Sequence, residues 1–164
     1  MCRLAKTWLV LVLALGGLAC RAKPPYEGKS VAELVVMLRD PDANVQAQGA
    51  FGLSRLGVTA EAAVPALVEA LKAKEVRVRQ HAALALGHIG LKARTAVPAL
   101  IEALRDPEWT VRRQAALALG QIGPDAKTAI PALEKLSRDP DHLVRKAAQE
   151  AVRKVRIQSS SRDH

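Results

Sequence analysis

A 33-residue spacing governs this chain. Pro65, Pro98 and Pro131 follow it, as do Gly57, Gly90 and Gly123, and Val45, Val78, Val111 and Val144. Aligned without gaps, residues 62–94 and 95–127 share 20 identities in 33. A period of this length means one small supersecondary unit repeated, each copy too small to bury its own apolar surface. The neighbouring stretches 29–61 and 128–157 keep the register with more drift, giving four units over residues 30–157.

Each unit reads as two helices. In the third, Thr95 suits a helix cap and Pro98 the first turn, where a missing amide costs little; Val97, Leu100, Ile101 and Leu104 form one apolar face. Asp106-Pro107-Glu108 then ends that helix and opens another, with Asp as cap and Glu108 near the positive end of the helix dipole. The second helix buries Val111, Ala115, Ala116, Leu119 and Ile122 and stops at Gly123-Pro124. Gly87 and Gly120 fall inside second helices, at a cost of roughly 1 kcal/mol relative to alanine. Close approach of a neighbouring helix is the expected compensation. Composition agrees: of 164 residues 49% are hydrophobic but only 2% aromatic, a supply of Ala, Leu and Val that suits packed helices better than a sandwich or barrel.

The pattern Asp106-Pro107, Val111-Arg112, Ala115 to Gly123, then Ile130-Pro131-Ala132-Leu133 resembles the HEAT-like repeats also found in phycocyanobilin lyase subunits. The resemblance covers about 130 of the 164 residues. It implies an all-α, right-handed α-solenoid of four two-helix repeats, bounded at 29–61, 62–94, 95–127 and 128–157. It further implies that the Arg after each Val (Arg79, Arg112, Arg145) pairs with turn aspartates Asp106 and Asp139 in a ladder between units. The ladder has gaps: Ala73 replaces the Asp in the second unit and Gln46 the Arg in the first. The ridge of the second helices is then placed on the concave face.

On that ridge, helical spacing sets Gln48, His81, Gln114 and Ala147 in one row and Arg55, His88, Gln121 and Lys154 in another, with Phe51, Leu84, Leu117 and Glu150 between. A mixed strip of this kind can seat a partner's peptide or helix. The candidate partner-binding residues are His81, Leu84, His88, Trp109, Gln114, Leu117 and Gln121. Trp109 falls in the turn between helices, as a lid on Leu104 or as a binding hot spot. His81 and His88 are seven apart, about 10.5 Å along a helix, too far to chelate one metal.

The amino terminus departs from the repeat. Arg3 and Lys6 precede an apolar run from Trp8 to Ala19, roughly 18 Å as a helix against the ~30 Å hydrocarbon core, so it reads as a cleaved secretory signal over residues 1–19. Leu18-Ala19-Cys20 resembles the bacterial lipobox, although Gly17 stands where the family has Leu, Val or Ile. Ordinary cleavage after Ala19 competes. Cys2 leaves with the signal, and Cys20, the chain's other cysteine, then has no disulfide partner and is the expected lipidation site. Residues 20–29 read as a Pro-containing tether, Ser30 and Glu33 as a capping box. The expected location is the cell envelope or periplasm, on a membrane through the lipid on Cys20.

At the other end Glu150, Arg153 and Arg156 make the outer face of the last unit polar, as a solenoid terminus requires. Its basic cluster keeps the cap soluble, or meets anionic lipid or an acidic partner. Residues 158–164 read as a disordered tail.

No Gly-x-Ser-x-Gly, His-Glu-x-x-His or Cys-x-x-Cys motif is present. The net charge of +9 invites nucleic acid, but the arginines have their structural role and an exported chain does not meet it. The sequence therefore predicts a non-catalytic scaffold binding a protein partner, with no cofactor, metal or nucleic acid; the alternative is an accessory subunit of an enzyme such as a bilin lyase-like complex.

Overall fold

The computed structural model describes residues 23–160; the predicted signal and Cys20 lie outside them. Eight α-helices follow in pairs: α1 (Val31–Leu38) and α2 (Ala43–Leu56), α3 (Val64–Ala70) and α4 (Val76–Ile89), α5 (Val97–Ala103) and α6 (Trp109–Ile122), α7 (Ile130–Lys135) and α8 (His142–Ser160). No strand occurs among the described residues. First helices are short and second helices long, the two kinds forming separate layers.

The start of α1 is fixed by its capping box. The Ser30 amide and hydroxyl both donate to the Glu33 carboxylate, at 2.8 and 2.7 Å, and the Glu33 amide donates back to Ser30 Oγ. In the third repeat the predicted side-chain caps are replaced by other devices, whereas Asp141 does cap α8, accepting from the Leu143 and Val144 amides at 2.8 and 3.1 Å. Thr95 does not cap α5: it lies in a 3₁₀ segment, Gly90–Ala96, and Pro98 is the second residue of the helix, where no amide is needed. Equivalent 3₁₀ segments cover Gly57–Ala63 and Gly123–Ala129. Each opens on a glycine with φ of +55°, +66° or +75°, a backbone region closed to most side chains, which is why that position ends every internal second helix. The stretch Ala43–Ala70 is apolar and long enough for a membrane span, but it is broken at Gly57 into two separate helices.

Asp106 does not cap α6 either. The residue before the helix is Glu108, without a side-chain cap, and Asp106 instead accepts from the Glu108 amide at 2.9 Å, shaping the turn.

The core is a stack of small apolar side chains. Leu100, Val111, Ala115, Ala116, Leu119 and Ile122 are all fully buried, and their counterparts Leu67, Val78, Ala82, Ala83, Leu86 and Ile89 likewise. The tightest packing runs from second helix to second helix, α2 to α4 to α6 to α8, while first helices touch one another little. The second helices thus form the more closely packed layer, the one that the resemblance places on the concave side. Gly120 permits that approach: a Cβ there would stand 3.0 Å from Ala151 Cα.

Two segments fold further than expected. Residues 24–29 are not an extended tether. Glu27 N–H donates to Pro24 O at 2.8 Å, and the turn lays the Tyr26 ring edge-on to Phe51 of α2, centroids 5.2 Å apart. At the other end, residues 158–160 continue α8 as helix, and Ser159 Oγ donates to Val155 O. Ser159, past the expected end of the domain, is itself buried.

Candidate partner-binding face

The turns between paired helices hold the arginines. Arg79 Nη1 braces its own turn, donating to Ala73 O and Lys74 O at 2.9 and 2.8 Å. Its other edge reaches the next repeat: Nε and Nη2 donate to Asp106 Oδ2 and Oδ1 at 2.7 and 3.0 Å. Arg112 repeats this with Asp106 O, Pro107 O and the Asp139 carboxylate. These forked bonds are the strong form of the arginine–carboxylate pair. The Asp139 carboxyl gains from burial a push upward, but Arg112 and the Asp141 amide outweigh it and hold it below the usual carboxylate range. Among the described residues Arg145 makes only the bracing half, to Asp139 O and Pro140 O.

The gap in the ladder is a single rung lost on both sides. An arginine meets the aspartate 27 residues on, so Gln46 faces Ala73. Gln46 keeps the bracing bond, Nε2 to Asp40 O at 2.6 Å, and neither side leaves a buried charge alone. A groove of about 440 Å³ opens at that seam, lined in part by both residues. Introducing Gln46→Arg and Ala73→Asp together should rebuild the rung. A double-mutant cycle in urea should give a coupling of roughly 1–3 kcal/mol; a coupling within ~0.3 kcal/mol would show that the rung contributes nothing there.

The concave face is set by helical rotation. In α6, Thr110, Gln114, Leu117 and Gln121 fall within a narrow arc; in α4 the matching residues are Arg77, His81, Leu84 and His88. Leu84 and Leu117 are half-buried and side by side in the array, and Gln121 and His88 are exposed. The two histidines are tied to the preceding repeat. His88 Nδ1 lies 2.8 Å from Ser54 O, a carbonyl of the last turn of α2 that has no partner within its helix, and His81 Nδ1 lies 3.1 Å from Ala47 O. A carbonyl only accepts, so Nδ1 carries the proton in each. Burial pushes the His81 imidazolium down from the ordinary value.

Trp109 is not in the turn. It is the first residue of α6, is 39% exposed, and lies one helical step of about 100° from the Thr110 row, beside the strip rather than within it. Leu104 itself is buried in the core cluster. Two residues the sequence left out join the face. Arg77 sits at its turn-side end, and Tyr26 arrives from outside the repeats. With Ala47, Gln48, Phe51 and His81 they line a cavity of about 260 Å³. The Phe51 and His81 rings stand 5.3 Å apart. Arg77 shares the heptad-like row position of Thr110, a signal available from spacing; Tyr26 had none. Among the described residues, no group of three or more His, Cys, Asp or Glu could hold a metal ion.

A HEAT-repeat family profile matches residues 31–96 and 77–153. The chain is a HEAT-repeat protein. Among solved structures it is similar to a designed armadillo repeat protein in complex with the peptide (KR)4, with TM-score 0.68 and 22% identity over 76% of this chain and 64% of that one. An engineered protein gives TM-score 0.67 and 29% identity over 78% of this chain and 63% of the other. The complex of CpcE and CpcF of phycocyanin lyase from Nostoc sp. PCC7120 gives TM-score 0.58 and 23% identity over 77% and 65%. The chain therefore spans just under two thirds of the length of each. No curated protein matches it significantly.

Proposed function

We propose that this HEAT-repeat protein is a non-catalytic scaffold that holds a protein partner on the face of its second helices, exported and attached to a membrane of the cell envelope through a lipid on Cys20. The observation that carries the binding half is the face itself: Leu84 and Leu117 are half-buried apolar side chains among polar ones, over a rigid layer whose stability is supplied elsewhere by the core and the ladder. A solenoid of this type bound to a peptide, as in the designed armadillo protein, supports it. The anchoring half rests on the apolar run, on Leu18-Ala19-Cys20 and on the unpaired cysteine.

Two experiments test the halves separately. Intact mass spectrometry of the chain from a bacterial host should show a lipid-bearing product beginning at Cys20, absent from Cys20→Ser. An unmodified cleaved chain would leave a free exported scaffold, and an uncleaved one would remove the envelope assignment. Once a partner is in hand, Leu84→Asp and Gln121→Ala should weaken binding more than Arg112→Met does; the reverse order, with stability unchanged, would move the site to the ladder edge.

The similarity to the lyase complex favours a second reading, an accessory subunit for chromophore attachment. Coexpression with a biliprotein and a bilin decides it: a covalent adduct that depends on this chain would displace the scaffold reading.

A further inference from the structure

The charges on the concave face specify the partner's chemistry. Across the four second helices, sixteen positions face that side, from Asn44 to Lys154, and one of them, Glu150, is a carboxylate. Glu150 is already engaged, 2.9 Å from Lys154 Nζ. Arg55 and Arg77 are exposed at opposite ends of the first two helices' rows, and among the described residues no carboxylate pairs with either. Between them lie Phe51 and Leu84 and the aromatic cavity of Tyr26, Phe51 and His81, with Arg77 at its mouth. Apolar surface flanked by unpaired cations matches apolar side chains flanked by carboxylates. Like charge on the partner would be repelled from the same strip.

We infer that the partner segment is acidic and amphipathic, that one of its aromatic or aliphatic side chains enters the Tyr26–Phe51–His81 cavity, and that its carboxylates meet Arg77 and Arg55. The inference rests on the concave face being the binding face. It distinguishes this chain from the designed armadillo protein, whose peptide ligand, (KR)4, is basic. The cavity suits an anchor because its walls are already ordered: Tyr26 is held by its turn and His81 by Ala47 O. An ordered pocket costs the ligand less on binding than one that must form.

The probes are three fluorescein-labelled peptides, followed by anisotropy with the full chain. The first alternates Glu with Leu and Phe, the second has Lys for every Glu, and the third has Ser for every Leu and Phe. The first should bind, weaken as salt rises, and outcompete both others. Arg55→Glu with Arg77→Glu should weaken it roughly tenfold without altering the circular dichroism spectrum. Leu84→Asp should abolish it. Equal or tighter binding of the Lys peptide, still lost in Leu84→Asp, would overturn the acidic assignment and keep the concave face. Binding of the Glu peptide that survives Leu84→Asp but is lost in Arg153→Glu would place the site on the basic end of α8 and overturn both. If none of the three peptides binds, both fall.

Discussion

Replacing Leu119 with alanine should cost about 2–5 kcal/mol in denaturant unfolding, while Gln121→Ala, two residues further on, should cost under ~0.5. Leu119 is fully buried in α6, and α6 packs against both α4 and α8. Truncating it opens a cavity in a layer where neighbours are helices and cannot simply collapse inward. The consequence should spread unevenly. In a linear array each unit is stabilised by its nearest neighbours, so loosening the third unit deprives the fourth of its only inward contact. Amide exchange should therefore accelerate in α8 more than in α2. Equal costs for the two substitutions would mean that the faces of α6 are misassigned; equal acceleration at both ends would mean that the four units unfold as one.

Asp139→Asn should be the most damaging surface-edge change, at roughly 2–4 kcal/mol. The Asp139 side chain is 4% exposed and takes two bonds from Arg112, at 2.8 and 3.0 Å, and one from the Asp141 amide. The amide replacement turns a donor toward the guanidinium and leaves that cation without its partner. Arg145→Met is the internal control, because Arg145 braces its turn without reaching a carboxylate; it should cost less than ~1 kcal/mol. Acid should reproduce the same loss. The folded Asp139 carboxyl is held below its ordinary value of 3.8, despite burial, by Arg112 and the Asp141 amide. Its contribution is thus complete above that value and disappears as pH falls from it through the lower folded one. The wild-type chain should lose stability over that window more steeply than Asp139→Asn. Parallel acid limbs, with the midpoints measured in urea, would show that the pair is not coupled to folding.

Much of the fold is legible because a repeat writes each structural decision several times. The positions of Leu100, Val111 and Leu119 are recognisable from one unit and confirmed by the next. The boundaries erred where backbone, not side chain, does the work. Thr95 looked like a cap, yet a 3₁₀ segment carries the chain from Gly90 to α5 and satisfies the helix start through main-chain bonds. Trp109 was read as a turn residue, yet α6 opens on it, and Asp106, read as the cap, shapes the preceding turn through the Glu108 amide instead. The candidate face was partly visible: the rows of His81, Leu84 and Gln114 follow from helical spacing, but that both histidines lean on the preceding helix does not.

By itself the sequence determined the period, the paired helices and which side of each helix is apolar, since all three depend on spacings within one unit. The tertiary structure decided what lies between units. Arg79 has aspartates available at several turns, and only the stacking of repeats brings Asp106, 27 residues away, to its fork and sets Gln46 opposite Ala73. Only folding brings Tyr26 from outside the repeats onto Phe51 and makes a cavity of the first ridge. Local periodicity chooses faces; contact between faces depends on the register of helices distant in the chain, and no spacing within a single helix encodes it.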